Sequence, residues 1–360
     1  MKNIANPTLI LNKQTCLQHL RDMQDLATRQ NLQLAPHFKT HQSLKIGKWC
    51  KTLGISAITV SSLDMAEAFA ADGWEDITWA FPVNIRAIDQ INRIAEKTSL
   101  SLYINELESA LFLSKHLSSP VRCFIEIDTG YHRSGISHTD LPKIEELVQA
   151  IVETEKILFR GFYTHAGHSY GARSEAEIIA IHEDTRTKLL AVKKYFEARH
   201  FSVEIALGDT PTCSIAQNFG GIDIIRPGNF VFYDLMQAQI GSCKESDICV
   251  VLAAPVVEKH PERNELIVHG GAVHLSKDRL TDDEGRTIYG KVVSMEPGGW
   301  GNSLPIVYVK ALSQEHGVIH WPGDQQDSIK IGDLIGILPV HSCLTANLMG
   351  TYVTLDGEQL

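Results

Sequence analysis

No stretch of this 360-residue chain approaches the roughly 18 consecutive apolar residues that a membrane-spanning helix needs. Its first residues, Met1-Lys2-Asn3-Ile4-Ala5-Asn6-Pro7, lack the apolar core of a secretory signal, which argues against export. Seven cysteines are dispersed without one CxxC pair. An odd, scattered set reads as reduced thiols of a cytosolic protein, most of them small core residues. No GxGxxG follows the first β-like run, which removes the main support for a dinucleotide-binding fold. Positive charge is in deficit: the formal net charge is −10, which speaks against nucleic acid or an anionic membrane as the main partner. What remains is an ordinary globular composition, 44% hydrophobic and 21% charged, expected to be soluble and cytoplasmic. The length suits one very large domain or two ordinary ones.

Between about residues 30 and 230, β-like runs alternate with helical stretches. The runs are 32–38, 55–61, 76–81, 100–104, 121–128, 157–165, 203–209 and 221–226. Helix-like segments lie between them at 44–53, 63–72, 85–97, 106–117, 141–153 and 175–198, with a short piece around 213–218. Such alternation marks βαβ units and a parallel sheet, and eight units favour a closed, eight-stranded β/α barrel of TIM type. After about residue 243 the texture changes. Residues 250–258, 265–275, 289–295, 305–311, 329–339 and 350–355 are β-like with turn residues between, which predicts a separate all-β domain. The extended segment 8–11 could add a strand to it. The predicted division is therefore a barrel over 15–242 and a β domain over 1–14 and 243–360.

The active site of a β/α barrel lies at the C-terminal ends of its strands, and polar residues fall there repeatedly. Lys39, in Pro36-His37-Phe38-Lys39-Thr40-His41, follows strand one. Asp128 ends strand five and opens Asp128-Thr129-Gly130-Tyr131-His132-Arg133-Ser134-Gly135. Tyr163, His165 and His168 gather after strand six, close to Tyr170. Gly208-Asp209-Thr210-Pro211-Thr212 follows strand seven, and Arg226-Pro227-Gly228-Asn229 follows strand eight. The last two loops are the usual phosphate site of such barrels, because backbone N–H groups converge there on an anion. Thr210 and Thr212 add hydroxyl donors, and Gly208 and Gly228 admit close backbone approach. A lysine between Phe38 and the barrel mouth, opposite a phosphate site, suits a Schiff-base residue holding pyridoxal phosphate. His37 and His41 flank it, as packing or hydrogen-bonding residues.

Near the other end of the chain stands Pro339-Val340-His341-Ser342-Cys343-Leu344-Thr345. On an extended strand, His341 and Cys343 would share one face, so that imidazole and thiolate reach one ion. Two protein ligands leave zinc with open positions, which suits a Lewis acid that binds substrate.

The lysine run and the H-x-C pair together resemble the fold-type III, metal-activated pyridoxal-phosphate lyases of D-3-hydroxy amino acids. D-serine dehydratases and D-threonine aldolases are the known types, built on an alanine racemase-like barrel. The resemblance spans essentially the whole chain. It implies Lys39 as the cofactor lysine and Arg133, in the Asp128–Gly135 segment, near the cofactor's phenolic oxygen. Tyr163, Tyr170, Thr210, Gly228 and Asn229 match positions that contact the cofactor in D-serine dehydratases. His341 and Cys343 match the zinc pair, which could also take manganese or another divalent metal; the aldolases usually carry an aspartate where Cys343 stands. The resemblance also implies a head-to-tail homodimer acting on a small D-amino acid. Relatives usually have arginine where this chain has Ala35, and often a basic residue where it has Gln42. Both departures bear on recognition of the substrate carboxylate.

By the same resemblance, the Lys39 amine removes the Cα proton, and the metal acts on the β-hydroxyl, so that a 2-oxo acid and ammonia are released. Three rivals stay open. An aldolase would need a base for the β-hydroxyl proton, with His165 or His168 as candidate, and the cysteine ligand argues mildly against it. A racemase would need a second base and no metal. A non-catalytic pyridoxal-phosphate carrier should lack both the β domain and the H-x-C pair.

Overall fold

The computed structural model describes residues 4–360. They form two compact units, one spanning Arg21–Gly228 and the other joining Met1–Leu20 to Asn229–Leu360. Residues 1–3 of the expected β domain lie outside the described part. Among the described residues, no helix is long and apolar enough to cross a membrane.

In the first unit all eight anticipated strands are present: β1 (Gln33–Leu34), β2 (Ala57–Val60), β3 (Asp76–Pro82), β4 (Ser99–Tyr103), β5 (Val121–Asp128), β6 (Ile157–Thr164), β7 (Glu204–Leu207) and β8 (Ile224–Ile225). The path runs β1-β8-β7-β6-β5-β4-β3-β2, and every pairing along it is parallel. A single parallel bridge, His37 to Thr59, nearly closes the ring, reinforced by the Thr59 N–H bond to the Pro36 carbonyl at 3.0 Å. β1 and β8 are shorter than their apolar runs because Pro36 and Pro227 follow them and offer no N–H to a ladder. Inside the ring, the aromatic rings of Tyr103, Phe124 and Tyr163 lie with the small residues Ala35, Ala57 and Ala206. Large residues on one arc and small ones on the other fill a lumen of this width without a pore.

Five of the helices between these strands begin where the sequence supplies side-chain oxygens. Ser43, Ser62, Asp140, Ser174 and Asp209 each accept a backbone N–H of the helix they precede. Each such cap stabilises its helix by about 1 kcal/mol. The stretch 85–97, anticipated as one helix, is a 3-10 turn over Ile85–Ala87 followed by Ile88–Ala95.

The second unit is a largely antiparallel sheet of β9 (Val250–His260), β10 (Glu265–His269), β11 (Gly290–Glu296), β12 (Gly299–Leu312), β13 (His316–His320) and β14 (Leu334–Pro339). Its order is β10-β13-β12-β11-β14-β9, continued by Thr8–Leu11 and Val353–Thr354, and β9 also pairs β10, so the sheet curls onto itself. The anticipated N-terminal strand is there: Thr8 to Leu11 run antiparallel to Ala253 to Val250. Three expectations fail. The run 265–275 is not one strand, since Gly270-Gly271 interrupts it and Ala272–Leu275 is helical. The run 329–339 is strand only from Leu334, after a turn at Gly332. His341 and Cys343, expected on one extended strand, instead stand at the start of a helix, Ser342–Met349, which begins just after Pro339 ends β14 and stops at left-handed Gly350.

Gly161 shows how tightly the barrel is wound. It sits on β6 beside a bulge opposite β5, at φ +154°, and a Cβ there would lie 1.9 Å from the Glu204 carbonyl oxygen on β7. Backbone of a neighbouring strand cannot yield as a side chain can. Gly161→Ala should therefore destabilise the barrel by about 2–4 kcal/mol, read as a lowered urea midpoint at unchanged m-value.

Candidate active site

Pro36 stops the ladder of β1, and the chain turns through the 3-10 segment Phe38–Thr40, which carries Lys39. The His37 Nδ1 accepts the Lys39 N–H at 3.4 Å, and the Gln42 amide donates to the Lys39 carbonyl at 3.4 Å. The loop after β8 presses against this turn. A Cβ on Gly228 would come within 3.0 Å of the His37 Cβ and carbonyl and of the Thr40 hydroxyl. Only glycine lets the two loops approach so closely. His41 points the other way, buried between Phe38 and Phe69, with its Nδ1 accepting the Ser43 N–H at 3.0 Å. Burial pushes its imidazole down to about 3, so its role is packing.

Arg226 ends β8 and turns into the barrel, only 4% exposed. Its Nη1 donates to the Thr59 and Thr78 hydroxyls at 3.0 and 2.8 Å, its guanidinium lies over the Phe124 ring, and its Nε has no partner. Burial first, then the charges of Lys39, His165, Arg226 and Arg133, hold His37 well below its ordinary range. His165 is pushed down to about 3 by burial and by Arg133, although its Nδ1 meets the Gly208 carbonyl. The barrel rim is thus a cluster of cations interleaved with neutral imidazoles. In a chain of net charge −10, that concentration marks an anion site.

The remaining rim residues divide by what they bond. Tyr163, buried, stacks on Tyr103 with ring centroids 4.4 Å apart. Arg133 lies 3.9 Å from Glu126, whose carboxylate is held by the Asn105 amide at 3.3 Å. Asp128 accepts the N–H groups of Gly130 and His132 and the His132 imidazole, which makes it the organiser of its own loop. His168 is half-buried, lowered chiefly by burial, and its Nδ1 has no partner. Tyr170 lies on the same turn, its ring 6.1 Å from His165.

Asp209 begins the short helix Thr210–Ile215 and accepts the Ser169 hydroxyl together with both the N–H and the hydroxyl of Thr212. The Thr212 hydroxyl proton is therefore committed inside the protein. The Thr210 hydroxyl is fully buried and has no partner, and a Cβ on neighbouring Gly208 would crowd Arg226 and Tyr163 at 3.1–3.3 Å. An orphaned hydroxyl beside a glycine-lined loop fits the phosphate of the expected cofactor.

In the second unit His341 precedes the helix Ser342–Met349 and Cys343 occupies its second position. The two meet across the start of a helix rather than along a strand, where the positive end of the helix favours an anionic ligand. The His341 Nδ1 bonds the Asp278 carboxylate at 2.9 Å. Burial opposes the His341 proton, but Asp278 and then Cys343 outweigh it and raise the imidazole to about 11. A carboxylate–histidine pair of this kind orients the ring and could turn Nε2 to a metal. The Asn229 side chain also lies here: its amide donates to Asp234 at 2.5 Å, with Ser342 Oγ and Cys343 Sγ at 3.3 and 3.5 Å. It was expected to contact the cofactor.

Sequence reasoning placed Arg226 at the rim without a role and missed Glu126, Asp234 and Asp278. Arg226 carried a signal, a charged residue ending an apolar strand at the rim; Asp278, 63 residues from His341, carried none. One further group, His269, His274 and Glu315, brings its ligand atoms within 4.8 Å of one another. The His274 Nδ1, however, accepts the Gly271 N–H at 3.1 Å, which places the ring proton on Nε2, facing Glu315. That ring is set to donate to a carboxylate, not to hold a metal.

Comparison with known proteins gives two family matches. Residues 11–235 match "Alanine racemase, N-terminal domain" and residues 249–355 match "Putative serine dehydratase domain". The D-serine dehydratase of Dictyostelium discoideum is 31% identical over 99% of this chain and 95% of its own. The D-threo-3-hydroxyaspartate dehydratase of Delftia sp. HT23 has a solved structure that superposes with a TM-score of 0.92 at 26% identity, covering 99% and 97% of the two chains. Mutants of that dehydratase at a histidine and at a cysteine two positions apart are also solved, the cysteine mutant in a metal-free form. D-threonine aldolase from Filomicrobium marinum shares the fold, with a TM-score of 0.81 at 20% identity.

The depressed histidines predict a pH dependence of stability. His41 titrates at about 3 in the folded protein, against about 6.5 when unfolded. The folded state therefore refuses a proton that the unfolded state takes, and stability present above pH 6.5 is lost as the pH falls towards 3. The loss approaches about 1.4 kcal/mol per pH unit for such a histidine. Urea unfolding between pH 7 and 5 should show at least this slope, since His37 and His165 are depressed as well, and His41→Asn should reduce it by the share of one histidine.

Proposed function

Because the chain belongs to the family that joins an alanine racemase-type barrel to a serine dehydratase domain, we propose that it is a metal-dependent pyridoxal-phosphate lyase of the D-serine dehydratase kind. Its substrate would be D-serine or D-threo-3-hydroxyaspartate, with a 2-oxo acid and ammonia as products. One observation carries the reading. The chain combines a cationic barrel rim that leaves Thr210 Oγ1 and Arg226 Nε unpartnered with a His341–Cys343 pair already oriented by Asp278.

The Lys39 amine would hold the cofactor, with Thr210 and the backbone at Gly208 and Gly228 at its phosphate and Tyr163, Tyr170 and Arg133 around its ring. When bound, the cofactor supplies an electron sink for the charge left at Cα. Lys39 takes the Cα proton of the D-enantiomer, and the neutral imidazoles around it compete little with other groups for that proton. His341 and Cys343 would hold a divalent metal, zinc in the first place, whose Lewis acidity makes the substrate's β-hydroxyl a better leaving group. The thiolate ligand, where aldolases usually carry aspartate, supports elimination over carbon–carbon cleavage. His168 supports the second reading, an aldolase, because it is held neutral with an unpartnered Nδ1 and could accept the hydroxyl proton. The active species is taken to be a homodimer.

D-Threonine separates the two chemistries. Release of 2-oxobutanoate and ammonia is expected, whereas glycine and acetaldehyde would establish the aldolase. Chelation, or Cys343→Ala, should abolish turnover while leaving the visible cofactor absorption in place; full activity without metal would rule out the metal role. Sedimentation equilibrium should give a dimer, and a fully active monomer would contradict the assembly.

A further inference from the structure

The side chains of Asn229 and Asp234 bond to each other and to the start of the helix that carries Cys343, and both are buried. Asp234 is fully buried and precedes the helix Leu235–Ile240, where one carboxylate oxygen accepts the Gln237 N–H at 2.9 Å. The other oxygen accepts the Asn229 amide at 2.5 Å, the Ser342 N–H at 2.9 Å and the Ser342 hydroxyl at 3.3 Å. A carboxylate can only accept here, so it fixes the Asn229 side chain with its NH2 towards Asp234. An NH2 has a second proton. The nearest acceptors are the Ser342 hydroxyl at 3.3 Å and the Cys343 sulfur at 3.5 Å. The same carboxylate pins the first residue of the helix that carries Cys343, so backbone and side chain of that ligand answer to one anion.

The geometry points to Asp234 and Asn229 as positioning residues for the metal ligand Cys343. Asp234 sets the amide, and the amide donates an N–H···S hydrogen bond that fixes the sulfur and withdraws charge from it. This is the counterpart, on the sulfur, of what Asp278 does for His341: each metal ligand is oriented by a buried or half-buried carboxylate, one directly and one through an amide. Losing such an outer partner typically weakens metal binding by about 10–100-fold. The inference rests on the metal reading given above, and its test keeps the two apart.

The purified holoenzyme is stripped of metal with its cofactor in place and titrated with cadmium in competition with a chromophoric chelator, and the cadmium-113 resonance of the loaded protein is recorded. Asn229→Leu, nearly isosteric but without the N–H, should weaken cadmium binding about 10–100-fold and move the resonance, with the cofactor absorption unchanged. Asn229→Ser, too short to reach the sulfur, should do the same and replaces the leucine variant should that one not fold. A purely structural role would lower thermal stability without moving the resonance. A folded variant with unchanged affinity and resonance overturns the inference. Wild-type protein that takes up no cadmium, or takes it up equally well as Cys343→Ala, overturns the metal reading itself and this inference with it.

Discussion

A buried guanidinium bonded to neutral hydroxyls is the constraint around which the barrel rim is organised. Arg226 is almost wholly inside, anchored to Thr59 and Thr78 and lying over Phe124, and one of its donors has no partner. Burying a cation costs several kcal/mol unless opposite charge or strong acceptors compensate. The fold keeps Arg226 there because β2, β3, β5 and β8 close round it. Around it, burial and the charges of Lys39, His165, Arg226 and Arg133 keep His37 neutral, Arg133 lies 3.9 Å from Glu126, and the Thr210 hydroxyl has no partner. An anionic, acceptor-rich cofactor completes this arrangement, and pyridoxal phosphate has that character.

The second unit follows a parallel logic with the sign reversed. Two carboxylates, Asp278 and Asp234, stand behind a histidine and a cysteine at the start of a helix. In the proposed metal site they would orient the two ligands without taking a ligand position themselves. Orientation of this kind would let two protein ligands suffice at the proposed site and would leave coordination positions for a substrate oxygen. The curled antiparallel sheet supplies the rigid base: β14 delivers His341, and the loop after the helical turn Ala272–Leu275 delivers Asp278.

The sequence made the barrel legible because a parallel, fully enclosed sheet writes itself as short apolar runs ending in polar residues, as Lys39, Asp128 and His165 do. Strand length was misjudged at Pro36 and Pro227, where apolar character continues but the ladder cannot. The H-x-C pair was visible by its spacing and misread in conformation. Ser342–Met349 has little amphipathic pattern, so nothing in its residues announced a helix; the proline before it and the glycine after it were the available signs. Asp278 could not be found at all, because a carboxylate reaching a histidine across a folded sheet leaves no trace in local sequence. Asn229 was placed with the cofactor by the match of Gly228-Asn229 to cofactor-contacting positions of the D-serine dehydratases; its side-chain NH2 lies against Asp234 and the Cys343 sulfur, which nothing in the local sequence announced.

The account stands or falls on Lys39. If the cationic rim is a cofactor site, borohydride reduction of the purified yellow protein should fix one pyridoxyl group per chain. Peptide mapping by mass spectrometry should then place it on the peptide that contains Lys39. A label on any other lysine, or no label in protein saturated with the cofactor, would contradict the account.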